Sequence, residues 1–424
     1  MNGRRVVITG LGVVAPNGIG KEEFWENLIG GKSAVDYITA FDPTPFPCKV
    51  AAEVKNFKPT DFVSSRSAKM MGRFSQFAVA AAKLAVADSD IGLNGGLAEE
   101  TSVCFGNSVN GAGDIYEYTH LDFLSKGFQA IPSWTTDEYT PHAAASHVAI
   151  EFGIKGQVMT LSSACSTGVD VVQWGYDKIF SGQSKVVIAG SSEAPIFPYA
   201  FAGLCSRGVL TKWDGHPAQA SRPYDLKRDG FVLGEGGGCV VLEDLEHALD
   251  RGAHIYAEVL GSASANESGH MRKVDLNGTA LCQAIDLAIH KAGLSREDID
   301  YINAHGNAMP DYDVAETTAF KQVFGDRIYH IPVSSIKSMI GQSLAASPMF
   351  QVVSSSLAIH ESIIPPTINY EYPDPHCDLD YVPNESRSSR IRNILINAHG
   401  MGGTHSVLIL GRPEFSSKVT AQWI

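Results

Sequence analysis

Short apolar runs and helix-period segments alternate along most of the chain. Runs of strand character cover residues 6–9, 102–105, 156–161, 186–189, 238–242, 256–260, 301–304, 394–397 and 407–410. Between them, apolar residues recur at helical spacing over 75–87, 281–291 and 314–323, which predicts amphipathic helices. Alternation of this kind predicts an α/β protein built in layers. No low-complexity stretch or charge run suggests a flexible linker. The change of character near residue 250, where a helical segment over 243–251 gives way to a new strand, is the expected boundary. We therefore expect an N-terminal half over 1–252, a C-terminal half over 253–412 and a tail over 413–424.

Composition narrows the function classes. The chain has 424 residues, 44% of them hydrophobic, and a mean hydropathy near zero. No apolar run reaches the roughly 18–20 residues that a membrane span needs, and the N-terminus leads straight into a strand without a signal-peptide pattern. A formal charge of -13, with no Lys/Arg block to offset it, argues against nucleic acid as the main partner. The seven cysteines are scattered, odd in number and free of any CxxC pair. That predicts neither a disulfide framework nor a zinc site, and it suits a reducing, cytoplasmic location. His360, His376 and His405 lack ligand spacing and read as structural, so no metal is expected. Gly10-Leu11-Gly12 follows the first strand, but the third glycine of a dinucleotide fingerprint falls on Ala15, followed by Pro16. We read a tight strand-to-helix turn there and expect no cofactor.

One cysteine has chemistry written into its neighbours. In Leu161-Ser162-Ser163-Ala164-Cys165-Ser166-Thr167-Gly168, Cys165 lies between an apolar strand and a helix marked by Val169, Val172, Tyr176 and Ile179. Unpaired N–H groups and the helix dipole at such a junction favour a thiolate, which is the form that attacks carbonyl carbon. Small residues on both sides leave room for a reactant. Three further strand ends carry polar residues and glycine: Asn303-Ala304-His305-Gly306-Asn307 (followed by Asp313 and Glu316), Val333 to Gln342, and Asn397-Ala398-His399-Gly400-Met401-Gly402-Gly403-Thr404. A thiol, an imidazole and further N–H donors converging on one point suit thioester chemistry.

At this point the chain resembles the β-ketoacyl synthases of the thiolase superfamily. Ser163 to Gly168 matches their nucleophile motif, and Ser221-Arg222-Pro223-Tyr224-Asp225 with Arg228 to Gly236 matches a second signature. Asn303 to Gly306 and Val333 to Met339 match the two histidine motifs. Phe41-Asp42-Pro43-Thr44-Pro45-Phe46 and the segments 364–369 and 374–383 are most similar to the α subunits of type II polyketide ketosynthases. The resemblance implies a duplicated thiolase fold in five layers, α-β-α-β-α. It implies that Cys165 takes an acyl chain from an acyl carrier protein, and that His305 hydrogen-bonds the thioester oxygen of a malonyl carrier protein as it loses carbon dioxide. It further implies an ion pair between Lys337 and Glu316, and an oxyanion hole formed by the N–H groups of Cys165 and Met401. The implied assembly is a heterodimer with a chain-length-factor-like homologue, with a homodimer as the alternative.

The chain also departs from the family pattern. The second histidine of the elongating enzymes is Gln342, and a usual glutamate is Gln351. His399 and Met401 stand where the family has two phenylalanines, the second of which gates the acyl pocket. A carboxamide carries two N–H donors and never titrates, so Cys165, His305 and Gln342 can form a condensing site. The chain-initiating and plant-type synthases set a precedent with Cys-His-Asn. His399 could instead supply the lost imidazole or serve as a gate. A fatty-acid-type homodimer, a non-condensing acyltransferase and a non-catalytic partner subunit stay open as alternatives; the intact Cys165 and His305 speak against the last. Arg66, Lys69, Arg73, Arg207 and Lys212 are candidates for meeting an acidic carrier protein, while Met70, Phe74 and Phe77 read as a helix face packed on the core.

Overall fold

The alternation read from the sequence resolves into one motif used twice. The computed structural model describes residues 4–109 and 113–414. Its first half runs β1 (Val6–Ala15), α1 (Arg73–Ser89), β2 (Thr101–Gly106), α2 (Ala143–Phe152), β3 (Val158–Leu161), α3 (Thr167–Phe180), β4 (Val186–Glu193) and β5 (Gly236–Asp244). The second runs β6 (Ala257–Asn266), α4 (Thr279–Lys291), β7 (Tyr301–Asn303), α5 (Pro310–Phe324), β8 (Val333–Ser334), α6 (Ser347–Glu361), β9 (Asn393–Gly400) and β10 (Thr404–Gly411). Strand order is β3-β2-β4-β5-β1 in one half and β8-β7-β9-β10-β6 in the other. In each, the first two pairings are parallel and the last two antiparallel. The same order with the same polarities is a structural duplication.

Helices α3 and α6 touch strands of both halves, whereas α1 with α2 and α4 with α5 cover the outer faces. This is the five-layered α-β-α-β-α thiolase arrangement. The two halves of the sheet are continuous, because Val6, Val7 and Ile8 of β1 pair with Val259, Glu258 and Ala257 of β6. The middle layer buries Ser347, Gln351, Ser354, Ser355 and Ser356 of α6 among apolar residues, and α3 and α6, packed between strands of both halves, hold the strand ends that carry the site.

Three expectations need correction. Gly10 and Gly12 lie inside β1 rather than in a turn. A Cβ there would stand 2.2 Å from Ala85 O and 1.9 Å from Ala81 O, so these glycines let α1 lie directly on the strand. The strand expected over 156–161 starts at Val158 and is only partly covered, since it pairs with β2 alone at the end of the sheet. Phe74 and Phe77 are buried, but Met70 is exposed at the end of a separate short helix, Ser65–Met70. The expected tail, 413–424, lies beyond the described residues after Glu414.

The depth of the cysteine depends on two close approaches. A Cβ on Gly106 would stand 2.2 Å from Thr167 Cγ2, and one on Gly168 would stand 2.7 Å from Met349 N of α6. Gly168→Ala should therefore destabilise the fold by about 1–3 kcal/mol through overpacking. Gly203→Ala, on an exposed helical face with nothing within 4 Å, should be neutral or stabilise by up to about 1 kcal/mol. Urea unfolding midpoints test this, and equal midpoints for the two variants would contradict it.

Candidate active site

The cysteine loop is tied before the helix begins. Ala164 takes a left-handed backbone conformation (φ 56°), which turns the chain sharply out of β3. Thr167 Oγ1 accepts from Ser163 N–H at 2.9 Å and donates to Ala164 O at 2.6 Å. The Ser163 hydroxyl donates to Asp170. Gly400 lets the end of β9 press on this loop, since a Cβ there would stand 2.8 Å from Ser163 O. That approach brings the Met401 N–H onto the Cys165 sulfur.

The sulfur is buried, and this overturns the expectation of a resting thiolate. Burial pushes the Cys165 thiol up to about 12, and the buried Glu193 carboxylate adds to the rise. Lys337, the Met401 N–H and Arg207 oppose it. Desolvation outweighs the helix N-terminus, so the group rests as a neutral thiol and gains charge only as it reacts.

His305 is presented with one tautomer. Its backbone N–H and that of Gly306 donate to Glu316 at 2.7 and 3.0 Å. Its Nδ1 accepts the backbone N–H of His399 at 3.2 Å, which places the ring proton on Nε2. That Nε2 is buried without a partner among the described residues, so it is free to donate to a reactant. Burial, followed by Lys337, His399 and His405, holds the imidazole well below its ordinary pKa of 6.5. It is a neutral donor rather than an imidazolium.

The expected Lys337–Glu316 ion pair is not formed. Lys337 Nζ donates to Gln351 Oε1 at 3.2 Å, and Glu316 is occupied by the two loop N–H groups, the Tyr224 hydroxyl at 2.6 Å and the Asn397 amide at 2.6 Å. Glu316 still opposes the fall in the Lys337 pKa, which burial brings down to about 8. Gln351 carries the geometry: its amide nitrogen donates to the carbonyls of Asn303, Ala304 and Asn397 at 2.9–3.2 Å. A glutamate has no donor for those three carbonyls.

Gln342 is fixed by its backbone. Its N–H donates to Val232 O at 2.8 Å, and its carbonyl accepts from Gly234 N–H at 3.0 Å. Its side-chain Oε1 is buried without a partner among the described residues. Cys165, Gln342, Asn307, His399 and Met401 share one narrow pocket. On the other side of Cys165, an apolar cavity of about 250 Å³ runs between Val109, Pro195, Ala200, Leu204 and Leu344. The His399 ring is stacked on Tyr312 at 4.5 Å and faces His405 at 4.0 Å. The structure thus brings Cys165, His305, Gln342, Lys337, Glu316, His399 and Met401 into one region. Reading residue by residue gave no role to Tyr224, Asn397, Gln351, Glu193 or Glu267. Three of them carried a signal: Tyr224 lies inside the second signature, Asn397 opens a polar strand end, and Gln351 stands where a glutamate is usual.

The buried thiol predicts a pH profile. Inactivation by iodoacetamide should rise about tenfold per pH unit from about pH 7 to about pH 9.5, because the thiolate is the reactive form. A plateau below about pH 7.5 would contradict the raised thiol.

Comparison with known proteins follows the same lines. Residues 3–248 match the family model for the β-ketoacyl synthase N-terminal domain, and residues 256–371 match its C-terminal domain. The tetracenomycin polyketide synthase ketoacyl synthase alpha subunit of Streptomyces glaucescens is 40% identical, covering 97% of this chain and 98% of that one. The 3-oxoacyl-[acyl-carrier-protein] synthase 2 of Coxiella burnetii is 39% identical, covering 97% and 99%. Among solved structures, the ishigamide ketosynthase/chain length factor is similar at a TM-score of 0.91, with 33% identity over 97% of this chain and all of that one.

Proposed function

Because the chain belongs to the β-ketoacyl synthase family, we propose that it is the catalytic α subunit of a type II polyketide synthase, condensing malonyl units onto a Cys165-bound acyl chain. The observation that carries this reading is the meeting of a buried cysteine, a neutral Nε2–H imidazole and an untitratable amide beside an apolar cavity.

In the first half-reaction the Cys165 sulfur attacks the acyl thioester of the carrier protein. The oxyanion is held by the N–H groups of Cys165 and Met401. The departing carrier sulfur ends with the proton that Cys165 loses, so the transfer needs no external base in balance. In the second, the malonyl C–CO2 bond breaks and charge moves onto the thioester oxygen. His305 Nε2–H donates to that oxygen, and the Gln342 amide supplies a second donor in place of imidazole. The carbanion then attacks the acyl-enzyme carbonyl, and Cys165 leaves as a thiolate that takes one proton from solvent, balancing the carboxylate charge lost as carbon dioxide. Neither donor changes charge over the working pH range, so enolate stabilisation is preserved. Lys337 and Glu316 act as positioning residues for this loop rather than as an ion pair.

Surface features support the partners. Exposed apolar residues include Tyr116, Leu121 and Leu124 on the helix Gly113–Lys126, Ile150 on α2 and Val158 on the edge strand β3. Such a face fits a homologous subunit that continues the sheet and closes the acyl cavity. Arg207 lines the cysteine pocket and Lys212 is exposed nearby in sequence; both suit an acidic carrier protein. Arg73 is engaged with Glu235 at 2.7 Å and is the weaker candidate. Among the described residues no helix is long and apolar enough to cross a membrane, and a cytoplasmic location agrees with seven free thiols. The nearly equal identity to a fatty-acid-type synthase keeps one second reading, a homodimer acting on the same carrier-bound substrates.

Mass spectrometry of the purified protein with its candidate partner, acyl carrier protein and malonyl carrier protein tests the proposal. We expect acylation of Cys165, release of carbon dioxide and chain extension. Gln342→Ala should lower decarboxylation roughly 100–1,000-fold, the scale of one lost transition-state donor, and leave acylation nearly unchanged. Acylation without extension would sink the condensing reading. Assembly with a cysteine-lacking homologue separates the heterodimer from the homodimer.

A further inference from the structure

At the His399 ring, which also lines the cysteine pocket, three metal-ligating side chains meet. His399 and His405 face each other across β9 and β10, and Glu267 follows the end of β6. Glu267 is steered by its other oxygen, since Oε2 accepts the Asp275 N–H at 3.0 Å. Its Oε1 therefore faces both imidazoles, 2.8 Å from His405 Nε2 and 3.7 Å from His399 Nε2. One ligand atom from each of the three side chains lies within 4.8 Å of the others. The side chains are only 2–7% exposed.

Hydrogen bonds alone leave this cluster poorly satisfied. Only His405 reaches the carboxylate at hydrogen-bonding distance. Its Nδ1 is buried without a partner among the described residues, and His399 Nε2 has the carboxylate only at long range. A cation is the one species that takes the lone pairs of both Nε2 atoms and Oε1 together. We propose that Glu267, His399 and His405 form a binding site for a divalent transition-metal ion of the zinc class. Two imidazoles and one carboxylate are a donor set such ions favour. Burial and the neighbouring His405 keep His399 neutral, the state that ligates. A cavity of about 10 Å³ beside the two histidines, bordered by His305, Tyr312 and Glu316, has space for about one water as a further ligand. The ion pins the β9–β10 hairpin across two facing residues. The same hairpin supplies the His399 N–H to His305 and the Met401 N–H to Cys165, so metal occupancy fixes the donors without joining the reaction. On this proposal His405 is a metal ligand rather than the structural residue expected from the sequence.

The test titrates metal-free protein, carrying Cys165→Ser to exclude thiolate ligation, with Co²⁺ and follows the visible d–d bands. Zinc stoichiometry is measured in parallel. The expected result is one ion per chain, with affinity falling by more than the roughly 10–100-fold typical of losing an outer-shell partner in Glu267→Gln and His405→Ala. His376→Ala, at an exposed histidine, should bind normally. Metal should also raise the melting temperature of the parent but not of those two variants. Should either variant fail to fold, X-ray absorption of the loaded parent decides: two imidazoles with only nitrogen and oxygen ligands support the site, and sulfur or a single imidazole overturns it. No equimolar binding, or equal affinity in Glu267→Gln, overturns it as well. So does a Glu267→Gln variant that slows condensation while the parent binds no metal, because the cluster is then a hydrogen-bonded relay.

Discussion

A single buried carboxylate gathers the site. Glu316, on α5, accepts from the N–H groups of His305 and Gly306, the hydroxyl of Tyr224 and the amide of Asn397. Four donors on one carboxylate satisfy a charge that would otherwise be costly to bury. They also join three segments distant in sequence: the His305 loop, the 221–236 signature and the end of β9. Asn397 stands two residues before His399, whose N–H sets the His305 tautomer, and four before Met401, whose N–H meets the sulfur. Without Glu316 at the junction, neither donor would have a fixed position.

Around that anchor the chain uses amides where relatives of the resembled type carry titrating groups. Gln351 connects Lys337 to the carbonyls of β7 and β9 through donors a glutamate lacks. Lys337 consequently gains a neutral acceptor instead of a charge, in keeping with burial bringing its ammonium down to about 8. Gln342 places a permanent dipole beside Cys165. The two amides act together: they add no charge near the sulfur, and Gln351 adds hydrogen-bond donors that a carboxylate lacks. Helix α3 then serves to stabilise the charge that develops on Cys165 during attack, not one already present at rest.

Much of the fold was legible from periodicity, since the strand runs at 186–189, 238–242 and 394–397 fall inside β4, β5 and β9. The duplication was not, because it resides in strand order and polarity rather than in repeated residues. Cys165, His305 and Gln342 stood out as polar or reactive groups at strand ends. The protonation state of Cys165 was misread because a helix N-terminus is visible in sequence and desolvation is not. The Lys337–Glu316 pair failed for a related reason: two opposite charges suggest a bond, but Glu316 has closer claims on it from Tyr224 and Asn397. Glu267 was invisible, having no motif and acquiring its neighbours only through the register of β6 with β10 and of β10 with β9.

The account rests on His305 being a neutral donor whose proton sits on Nε2. Nitrogen NMR of labelled histidines, assigned by comparison with His305→Ala, reads this directly. The prediction is a neutral imidazole with an Nε2–H, unchanged from about pH 8 to about pH 6, below the ordinary histidine value. A proton on Nδ1, or protonation with a midpoint near the ordinary value of 6.5, would contradict it.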